Sequence, residues 1–366
     1  RADPTRPGAL RDGTIRALVR AEDGHIWVGT QHGGLQHYLP ELDQFSEPVP
    51  GIPRGPIRQL LPRRDGTLVV GMQAALVILD PHSGKVRRMH LGADQVFTDA
   101  VWSLAEDGLG NLWIGTPNNL LLWRPGSDYP SEIISPDVVL RAIADLQIDA
   151  GGQLWACGPR GIARLIEWKN GEPVFEDYGR KLALSAQGLG QQVVPDRSGR
   201  LWNPHLVIDP RSDHADPLGV ADGIDIGSVE IGSGSMSSSG LLFFGGTRGL
   251  LIIDPERFVP WQYQPPLLLT SIDVDGHSRA PGGAADGVQL RPGEARLTIE
   301  FAALDYSSPS SISYTYRLLG LDEHWIATEA SQRVASYHNL WPGSYQLQVR
   351  AQTRNGKVNE AMMLPL

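Results

Sequence analysis

Residues 22–30 read EDGHIWVGT, and recognisable copies of this phrase recur along the chain. The phrase combines a polar turn, a strand that contains a Trp, and a stop of small residues. Other copies are LAEDGLGNLWIGT at 104–116, GGQLWACG at 151–158, GRLWNP at 199–204, DGTLVVG at 65–71 and GLLFFGG at 240–246. In the last two copies Val69 and Phe243 stand where the others have a Trp. The phrase therefore marks a structural repeat.

The copies are nearly evenly spaced. Their anchor positions are 27, 69, 113, 155, 202 and 243, so the intervals are 42, 44, 42, 47 and 41 residues. A period of about 40 to 45 residues, with short strand-like runs and Gly-rich turns, is typical of β-propeller blades. A helical repeat would show apolar residues at i, i+3, i+4 and i+7. We predict six four-stranded blades within residues 1–259, with residues 1–14 adding one closing strand. An intact ring of seven blades is the alternative.

The repeat ends after Phe258. Residues 260–266, PWQYQPP, predict a stiff linker, because proline-rich segments are extended and cannot continue a strand ladder. Residues 267–366 contain about seven short alternating strands without helical periodicity, and Asp275-Gly276 is typical of a hairpin turn. This pattern favours an immunoglobulin-like β-sandwich. The predicted fold class is all-β, a propeller followed by a sandwich.

Composition limits the function classes. The 366 residues carry a net charge of −9 and no cluster of Lys or Arg, which disfavours binding to nucleic acid. Cys157 is the single cysteine, so no internal disulfide can form. No stretch of 18 apolar residues predicts a transmembrane helix, and the first residues lack the apolar core of a signal peptide. We expect the sequence to be one part of a longer protein.

Three groups of motifs point to a known family. The repeats have the form D-x-x-G-x-L-W-x-G-T, and FFGGTRGLLIIDP closes the last blade. Downstream lie FAALDYSSP at 301–309, YTYRLLGLDEHW at 314–325 and YHNLWPGSYQLQVRA at 337–351. This arrangement resembles the periplasmic sensor region of bacterial two-component-type signalling proteins, in which regulator propeller repeats precede a triple-tyrosine domain.

The resemblance implies a function without catalysis in this segment. It implies a periplasmic module that binds a small molecule or an oligosaccharide on the propeller and relays the signal through the sandwich, which forms a homodimer. The output, a histidine kinase or a diguanylate cyclase, would lie in the rest of the protein. Contact with the membrane would come only through segments outside this sequence. No cofactor is implied.

The loops that join second to third strands lie on one face of a propeller, so their polar side chains are candidates for the ligand site. Amide, imidazole and guanidinium groups offer directional hydrogen bonds to polyhydroxylated or acidic ligands. The candidates are His32, Asn118, Asn119, Arg160, His205 and Arg248. Ordinary solvated loop residues are the alternative for each of them.

The aromatic repeats are better explained by packing than by ligand stacking. We expect the strand tryptophans to fill the space between neighbouring blades, and the tyrosines to combine a buried ring with a hydroxyl that ties one strand or corner to another. The residues predicted to be structural are Trp27, Trp113, Trp155, Trp202, Tyr306, Tyr314, Tyr316, Tyr337 and Tyr345.

Two other function classes fit a propeller. A polysaccharide lyase or hydrolase would need a metal site or a carboxylate pair. Histidines 32, 37 and 205 and aspartates 145, 222 and 225 are available, but their spacing selects no pair or metal site, and we predict none. A protein-binding scaffold would instead expose an apolar or aromatic patch.

Overall fold

A computed structural model describes residues 2–21, 24–135, 138, 140–182, 192–261, 263–280, 287–306, 309–353 and 356–366. The chain divides into two compact units, each described separately below. The first contains Arg1–Ala215 and Ile224–Phe258, and the second contains Asp216–Gly223 and Val259–Leu366.

The first unit is built from consecutive antiparallel sheets. Sheets one to three comprise β1 (Ile15–Arg20), β2 (Ile26–Thr30), β3 (Leu35–Leu39) and β4 (Gln44–Phe45); β5 (Ile57–Pro62), β6 (Leu68–Met72), β7 (Leu76–Leu79) and β8 (Val86–Arg88); and β11 (Ser103–Glu106), β12 (Leu112–Gly115), β13 (Leu120–Trp123) and β14 (Ser131–Ile133). A short hairpin, β9 (His90–Gly92) and β10 (Gln95–Val96), connects the second sheet to the third.

The remaining blades follow the same order. They comprise β15 (Asp145–Ile148), β16 (Leu154–Gly158), β17 (Gly161–Lys169) and β18 (Glu172–Asp177); β19 (Val194–Pro195), β20 (Leu201–Asn203), β21 (Leu206–Asp209) and β22 (His214–Pro217); and β23 (Val229–Met236), β24 (Leu242–Gly246) and β25 (Gly249–Ile253). Helix α1 (Tyr178–Lys181) follows β18, and 3-10 turns occupy Val220–Asp222 and Pro255–Arg257.

The described residues form the six predicted blades, although the prediction of four strands is not met in the sixth, and the innermost strands of successive blades pack side by side. In the described residues the sixth blade has three strands and the other five have four. The prediction that residues 1–14 form a closing strand is wrong for residues 2–14. This segment instead lies along the first blade, where the Phe45 N–H donates to the Gly8 carbonyl at 2.8 Å.

One face of the propeller carries the repeated turn between first and second strands, and we call it the turn face. In each blade the N–H of a glycine donates to the carbonyl of the residue three positions earlier. These glycines have φ between 79° and 93°, the left-handed region that glycine adopts without steric cost. The turns begin at Ala21, Arg63, Asp107, Asp149, Asp196 and Ser237 and end at Gly24, Gly66, Gly110, Gly152, Gly199 and Gly240.

Blades three to five lock this turn to the strand tryptophan. Asp107 Oδ1 accepts the N–H groups of Leu109 and Asn111, while its Oδ2 accepts the indole N–H of Trp113 at 2.9 Å. The same arrangement pairs Asp149 with Trp155 and Asp196 with Trp202, each at 2.8 Å. One carboxylate thus satisfies both the turn amides and a largely buried indole N–H, which would otherwise be costly.

The first blade lacks this lock. Ala21 stands where the third, fourth and fifth blades have Asp, and among the described residues the buried Trp27 Nε1 has no hydrogen-bond partner. The Trp27 ring is 4% exposed and packs with Ile57 and Leu68 of the second blade. The first blade therefore keeps the packing of the tryptophan ring but not the hydrogen bond between an aspartate and the indole N–H.

The tryptophans lie between neighbouring sheets. Trp113 of the third blade packs edge-on against Phe175 of the fourth, with ring centroids 6.1 Å apart. Trp155 contacts Tyr178 in the same manner at 5.1 Å. Trp113, Trp155 and Trp202 have no exposed surface. Burial of such large rings stabilises the contact between blades.

The second unit is a sandwich of two four-stranded sheets. One sheet has the order β27 (His277–Arg279), β26 (Leu267–Val274), β28 (Arg296–Ala303) and β31 (Val334–His338); the other has β30 (Ile326–Thr328), β29 (Ser313–Leu319), β32 (Gln346–Gln352) and β33 (Met362–Pro365). A 3-10 turn covers Pro309–Ser311. Asp275 and Gly276 have φ of 51° and 81° and form the predicted two-residue hairpin turn between β26 and β27. The all-β prediction of a propeller followed by a sandwich is confirmed.

The sandwich tyrosines connect strands and corners. The Tyr337 hydroxyl donates to Asp322 Oδ2 at 2.7 Å, and the Tyr345 hydroxyl donates to the Trp341 carbonyl at 2.9 Å. The Tyr314 hydroxyl accepts the Ala303 N–H at 3.1 Å, and Tyr316 is half-buried against Tyr337.

Tyr306 differs from this group, because its side chain is 88% exposed. It follows the end of β28 at Ala303, where the chain leaves the sheet. The prediction that Tyr306 is a buried structural residue is therefore wrong.

Candidate functional site

The face opposite the turn face, which we call the loop face, carries the loops between second and third strands and the connections between blades. Strands alternate in direction, so both sets of segments lie at the same end of the sheets. Each predicted site residue lies in a loop between second and third strands. His32 follows β2, Asn118 and Asn119 follow β12, Arg160 follows β16, His205 follows β20 and Arg248 follows β24.

A cavity of about 180 Å³ opens on this face at the fourth blade. Three arginines line it: Arg141 from the connection before β15, Arg160 from the loop after β16, and Arg180 from helix α1. The other polar side chain is that of Asp177, and the walls include Leu140 and Ile162 among apolar residues. Guanidinium groups with adjacent apolar walls suit a ligand with both acidic or hydroxyl groups and a carbon skeleton.

The segment that carries Arg141 is held by its neighbours on both sides. The Ala142 N–H donates to the Pro117 carbonyl at 2.9 Å, the Ile143 N–H donates to Thr116 at 3.1 Å, and the Ala144 N–H donates to Cys157 at 2.9 Å. Ala142 has φ of 55°, in the left-handed region that costs a residue with a Cβ about 1 to 2 kcal/mol. A strained conformation that its surroundings maintain is common at ligand sites.

Gly158 makes room for this strained segment. A Cβ at Gly158 would overlap the Ala142 carbonyl oxygen, so only glycine permits the close approach of β16 to the connection. Two residues later Arg160 occupies the tight turn to β17, where Gly158 pairs with Gly161. The same close contact thus places Arg141 and Arg160 at one cavity.

The cavity has an excess of positive charge. Asp177 caps helix α1 by accepting the Arg180 N–H at 2.9 Å, and its other oxygen lies 3.6 Å from Arg180 Nε. In the described part of the chain, neither Arg141 nor Arg160 makes an ion pair. Two guanidiniums are therefore available to a ligand without breaking an internal salt bridge.

The other predicted site residues are outside the cavity. His32 Nδ1 lies 3.6 Å from Asp12 Oδ2, and Asn118 Nδ2 donates to Asp99. The Asn119 carbonyl and side chain both accept the Thr116 hydroxyl, which stabilises their own turn.

His205 and Arg248 are also exposed on their loops. The His205 N–H donates to Asn203 Oδ1, and Arg248 pairs with Asp225. The structure therefore places all six residues on the loop face but brings only Arg160 into the cavity. Arg141 and Arg180 were not among the predicted site residues.

A buried carboxyl group lies on the innermost strand of the same blade. Asp145 Oδ2 accepts the Val193 N–H at 2.9 Å and thereby connects the fourth blade to the fifth, while Oδ1 accepts the Gln147 amide at 3.0 Å. Burial raises the pKa of Asp145 to about 6. The Asp145 carboxylate also contributes to a raised pKa of the buried Cys157 thiol, after the larger effect of burial.

Groups that could support catalysis are dispersed. Asp145 and Asp225 belong to different blades and have separate partners, and Asp222 caps the Gly219 N–H in the second unit. Within the ranges that the structure describes, no group of three His, Cys, Asp or Glu side chains could hold a metal ion. The His37 ring packs 4.9 Å from the Trp27 ring on the first blade.

The sandwich unit has a depression of its own, with a volume of about 770 Å³. Leu290, Leu340, Trp341, Pro342 and Leu366 contribute to its lining, and Trp341 is 82% exposed. Arg291 and Glu294 also line this depression, so its surface combines charged and apolar groups. No helix within the described ranges is long and apolar enough to span a membrane.

Sequence families match both parts of the chain. Residues 9–32 and 95–118 match the Two component regulator propeller family, and residues 305–361 match the Y_Y_Y domain family. A curated relative, Histidine kinase P4 of Formosa agariphila, is 27% identical over 128 residues, which cover 32% of this chain and 9% of the relative. The chain thus spans less than two thirds of that protein. The predicted sequence of propeller repeats followed by a triple-tyrosine domain is confirmed.

Solved structures support the fold. The extracellular domain of a putative hybrid two-component system from B. thetaiotaomicron superposes with a TM-score of 0.79 at 20% identity, covering 98% of this chain and 50% of that chain. Virginiamycin B lyase from Staphylococcus aureus superposes with a TM-score of 0.50 at 13% identity, covering 69% and 86%. At these identities the similarity concerns the fold alone.

Proposed function

We propose that this chain, with its regulator propeller repeats and Y_Y_Y domain, is the extracytoplasmic ligand-sensing region of a bacterial transmembrane signalling protein. The ligand, a small molecule or a glycan fragment, binds at the loop face of the propeller. The observation that carries this proposal is the cavity at the fourth blade, where Arg141 and Arg160 have no ion pair in the described residues. Both residues are exposed, so their guanidinium groups can exchange water for an acidic or hydroxyl group of a ligand.

The relay requires that ligand binding favour one arrangement of the protein over another. A ligand that binds two arrangements with equal affinity does not shift the equilibrium between them. The difference between its two affinities therefore limits the size of the signal. We propose that the sandwich forms a homodimer and passes a change of dimer geometry towards a membrane segment in the rest of the protein. The output would be a hybrid histidine kinase or a diguanylate cyclase.

The proposed location is the periplasm, as the sensor part of an inner-membrane protein. It follows from the sensing role and from the family matches of both parts of the chain. Ligands of the size of an oligosaccharide fragment reach that compartment without crossing the inner membrane. The segment itself contributes binding, with no catalytic step and no cofactor.

A thermal-shift screen tests the proposal. The chain is heated with neutral oligosaccharides, uronic-acid oligosaccharides and small metabolites, and divalent metals form a separate arm. A ligand at 100 times its dissociation constant adds about 2.7 kcal/mol to the stability of the native state. We expect a hit among the organic ligands, and we expect Arg160→Ala to abolish its effect.

Arg20→Ala is the matched control. Arg20 is an exposed arginine at the last position of β1, next to the turn face and therefore away from the loop face. It should leave the shift intact. A hit that survives Arg160→Ala and Arg141→Ala would move the ligand site away from the cavity. A response to metals alone would contradict ligand sensing at this site and favour an enzyme.

A second candidate function rests on Trp341. An aromatic side chain that is 82% exposed beside a surface depression suits a protein partner, as the scaffold alternative requires. Sedimentation of the chain with and without Trp341→Ala tests whether this surface mediates self-association. A loss of dimer in the variant would assign the surface to the homodimer, and an unchanged distribution would leave no support for that role.

A further inference from the structure

The first two blades share a pair of arginine–glutamine contacts that the described parts of the other blades lack. Arg16 and Arg58 occupy equivalent positions 42 residues apart, each one residue into the innermost strand. In both strands the arginine is the extra residue of a β-bulge, because Ile15 pairs with Thr30 and Ala17 with Gly29, with the same shift around Arg58. Bulges change the direction of a side chain and are common beside functional sites.

A glutamine holds each arginine in the same way. Arg16 Nε donates to Gln31 Oε1 at 2.7 Å, and Arg58 Nε donates to Gln73 Oε1 at 2.5 Å. The two glutamines are also 42 residues apart, and each is the first residue after the second strand. An amide that accepts from Nε fixes the guanidinium plane and leaves its two terminal nitrogens available.

These arginines have no carboxylate partner in the ranges described above. Asp12, which lies beside the loop that carries His32, accepts the N–H groups of Thr14 and His32. Burial, and secondarily the charge of Arg16, lower the pKa of Arg58. Since their strands are neighbours, two like charges are held close together at the loop face.

We propose that Arg16 and Arg58 together bind an oxyanion, a carboxylate or a sulfate group, carried by the ligand at the loop face. Two oriented guanidiniums can donate paired hydrogen bonds to such a group, and the bound anion removes their mutual repulsion. The inference rests on the proposed function and specifies it, because it requires an acidic ligand. It is separate from the arginine cavity of the fourth blade.

The test follows the Arg Nε–Hε signals by NMR in the intact chain, because each of the two Hε protons is engaged by a glutamine. The probes are sodium sulfate and sodium glucuronate, with glucose as the neutral counterpart of glucuronate. Sodium chloride at matched ionic strength separates site binding from general screening. We expect sulfate or glucuronate to shift the Arg16 and Arg58 signals together along one saturable curve.

Three variants make the same change of charge. Arg16→Gln and Arg58→Gln should each weaken binding of the probe at least about tenfold, the value of one charge-assisted hydrogen bond of about 1.4 kcal/mol. Arg20→Gln, on the same strand as Arg16 but at its other end, should leave the affinity unchanged. Without the probe, the first two variants should not lower the melting temperature, because each removes a repulsion. If these arginines were purely structural, the two variants would lower the melting temperature.

The inference and the proposed function can fail separately. If the anions shift no Arg16 or Arg58 signal while a neutral oligosaccharide binds in an Arg160-dependent manner, the inference is wrong and the sensing role is supported. Equal shifts with sodium chloride, or unchanged affinity in Arg16→Gln and Arg58→Gln, also overturn the inference. Absence of any organic hit in the screen, together with unresponsive arginine signals, contradicts both.

Discussion

The two faces of the propeller use charged side chains for different purposes. On the turn face, carboxylates of the third to fifth blades are saturated by internal donors, and Arg63 pairs with Glu106 at 2.9 Å. On the loop face, Arg16, Arg58 and Arg160 have no carboxylate partner among the residues described. A charge with internal partners stabilises the fold, whereas a charge without them is available to a ligand.

This contrast explains how one repeat can both stabilise the fold and carry a ligand site. The turn that precedes each second strand is fixed by the period, and its first residue is an aspartate that binds the tryptophan in the same way in the third, fourth and fifth blades. The loop at the other end follows the same strand and is free to differ between blades. Substitutions on the turn face should therefore change stability with little effect on binding, and those on the loop face should do the reverse.

The largest effect is expected for Asp107→Ala. The variant leaves the Trp113 indole N–H buried without an acceptor and removes the side-chain acceptor of the Leu109 and Asn111 amides. We expect a loss of about 3 kcal/mol or more in the free energy of unfolding, measured by urea denaturation. Asp107→Asn is the graded control, since its Oδ1 still accepts the turn amides. A loss below about 1 kcal/mol for the alanine variant would contradict the role of the lock.

Asp145 predicts a dependence of stability on pH. Its pKa is about 6 in the native state and 3.8 ordinarily, so the native state binds more protons between these values. Stability contributed by the protonated carboxyl is complete below about pH 4 and is lost as pH rises through 6, a change of roughly 3 kcal/mol.

Urea denaturation of the wild type and of Asp145→Asn between pH 4 and 8 isolates this contribution. The difference in free energy of unfolding between the two proteins should move in favour of the variant as pH rises. A constant difference would show that the pKa of Asp145 is not raised.

A gain in stability is expected in the first blade, which has no aspartate to bind its tryptophan. Ala21→Asp in the first blade would supply an acceptor for the buried Trp27 indole N–H and for the turn amides. We expect a stabilisation of about 1 kcal/mol, visible as a higher urea midpoint. In a Trp27→Phe background the indole contribution should vanish, which a double-mutant cycle measures. A zero coupling energy would mean that the aspartate does not reach the indole.

The smallest effect on stability is expected for Arg160→Ala. Its side chain is exposed, and no hydrogen bond or ion pair of that side chain occurs in the described residues. The change in free energy of unfolding should stay within about 0.5 kcal/mol, as for ordinary surface substitutions. Ligand-induced stabilisation should nevertheless be lost, so the melting temperatures with and without ligand coincide. A large destabilisation without ligand would place Arg160 with the structural residues of the turn face.

The period made the fold predictable from the sequence. A spacing near 42 residues and the motif D-x-x-G-x-L-W are enough to predict six blades, and strand alternation is enough to place the six candidate residues on one face. The tryptophans could be predicted to be buried because they recur in mid-strand. The assignment of Tyr306 failed because a motif does not show where β28 ends.

The cavity could not be predicted in the same way. Its three arginines come from segments around positions 141, 160 and 180, and they meet because Ala142 adopts a left-handed conformation that Gly158 accommodates. Gly158 belongs to the repeated motif, but the conformation of Ala142 and the three arginines have no periodic signature. The pair of Arg16 and Arg58 did leave a signal, since an Ile-Arg dipeptide recurs after 42 residues, but its meaning depends on the bulges.

The most direct test of a ligand-binding loop face is an anomalous difference map from crystals of this chain soaked in selenate, with sulfate as the competing soak. Selenate has the shape and charge of sulfate and scatters anomalously. The account predicts peaks on the loop face, beside Arg16 and Arg58 or beside Arg141 and Arg160, that disappear with excess sulfate. Peaks confined to the turn face, or none on the loop face, would contradict it.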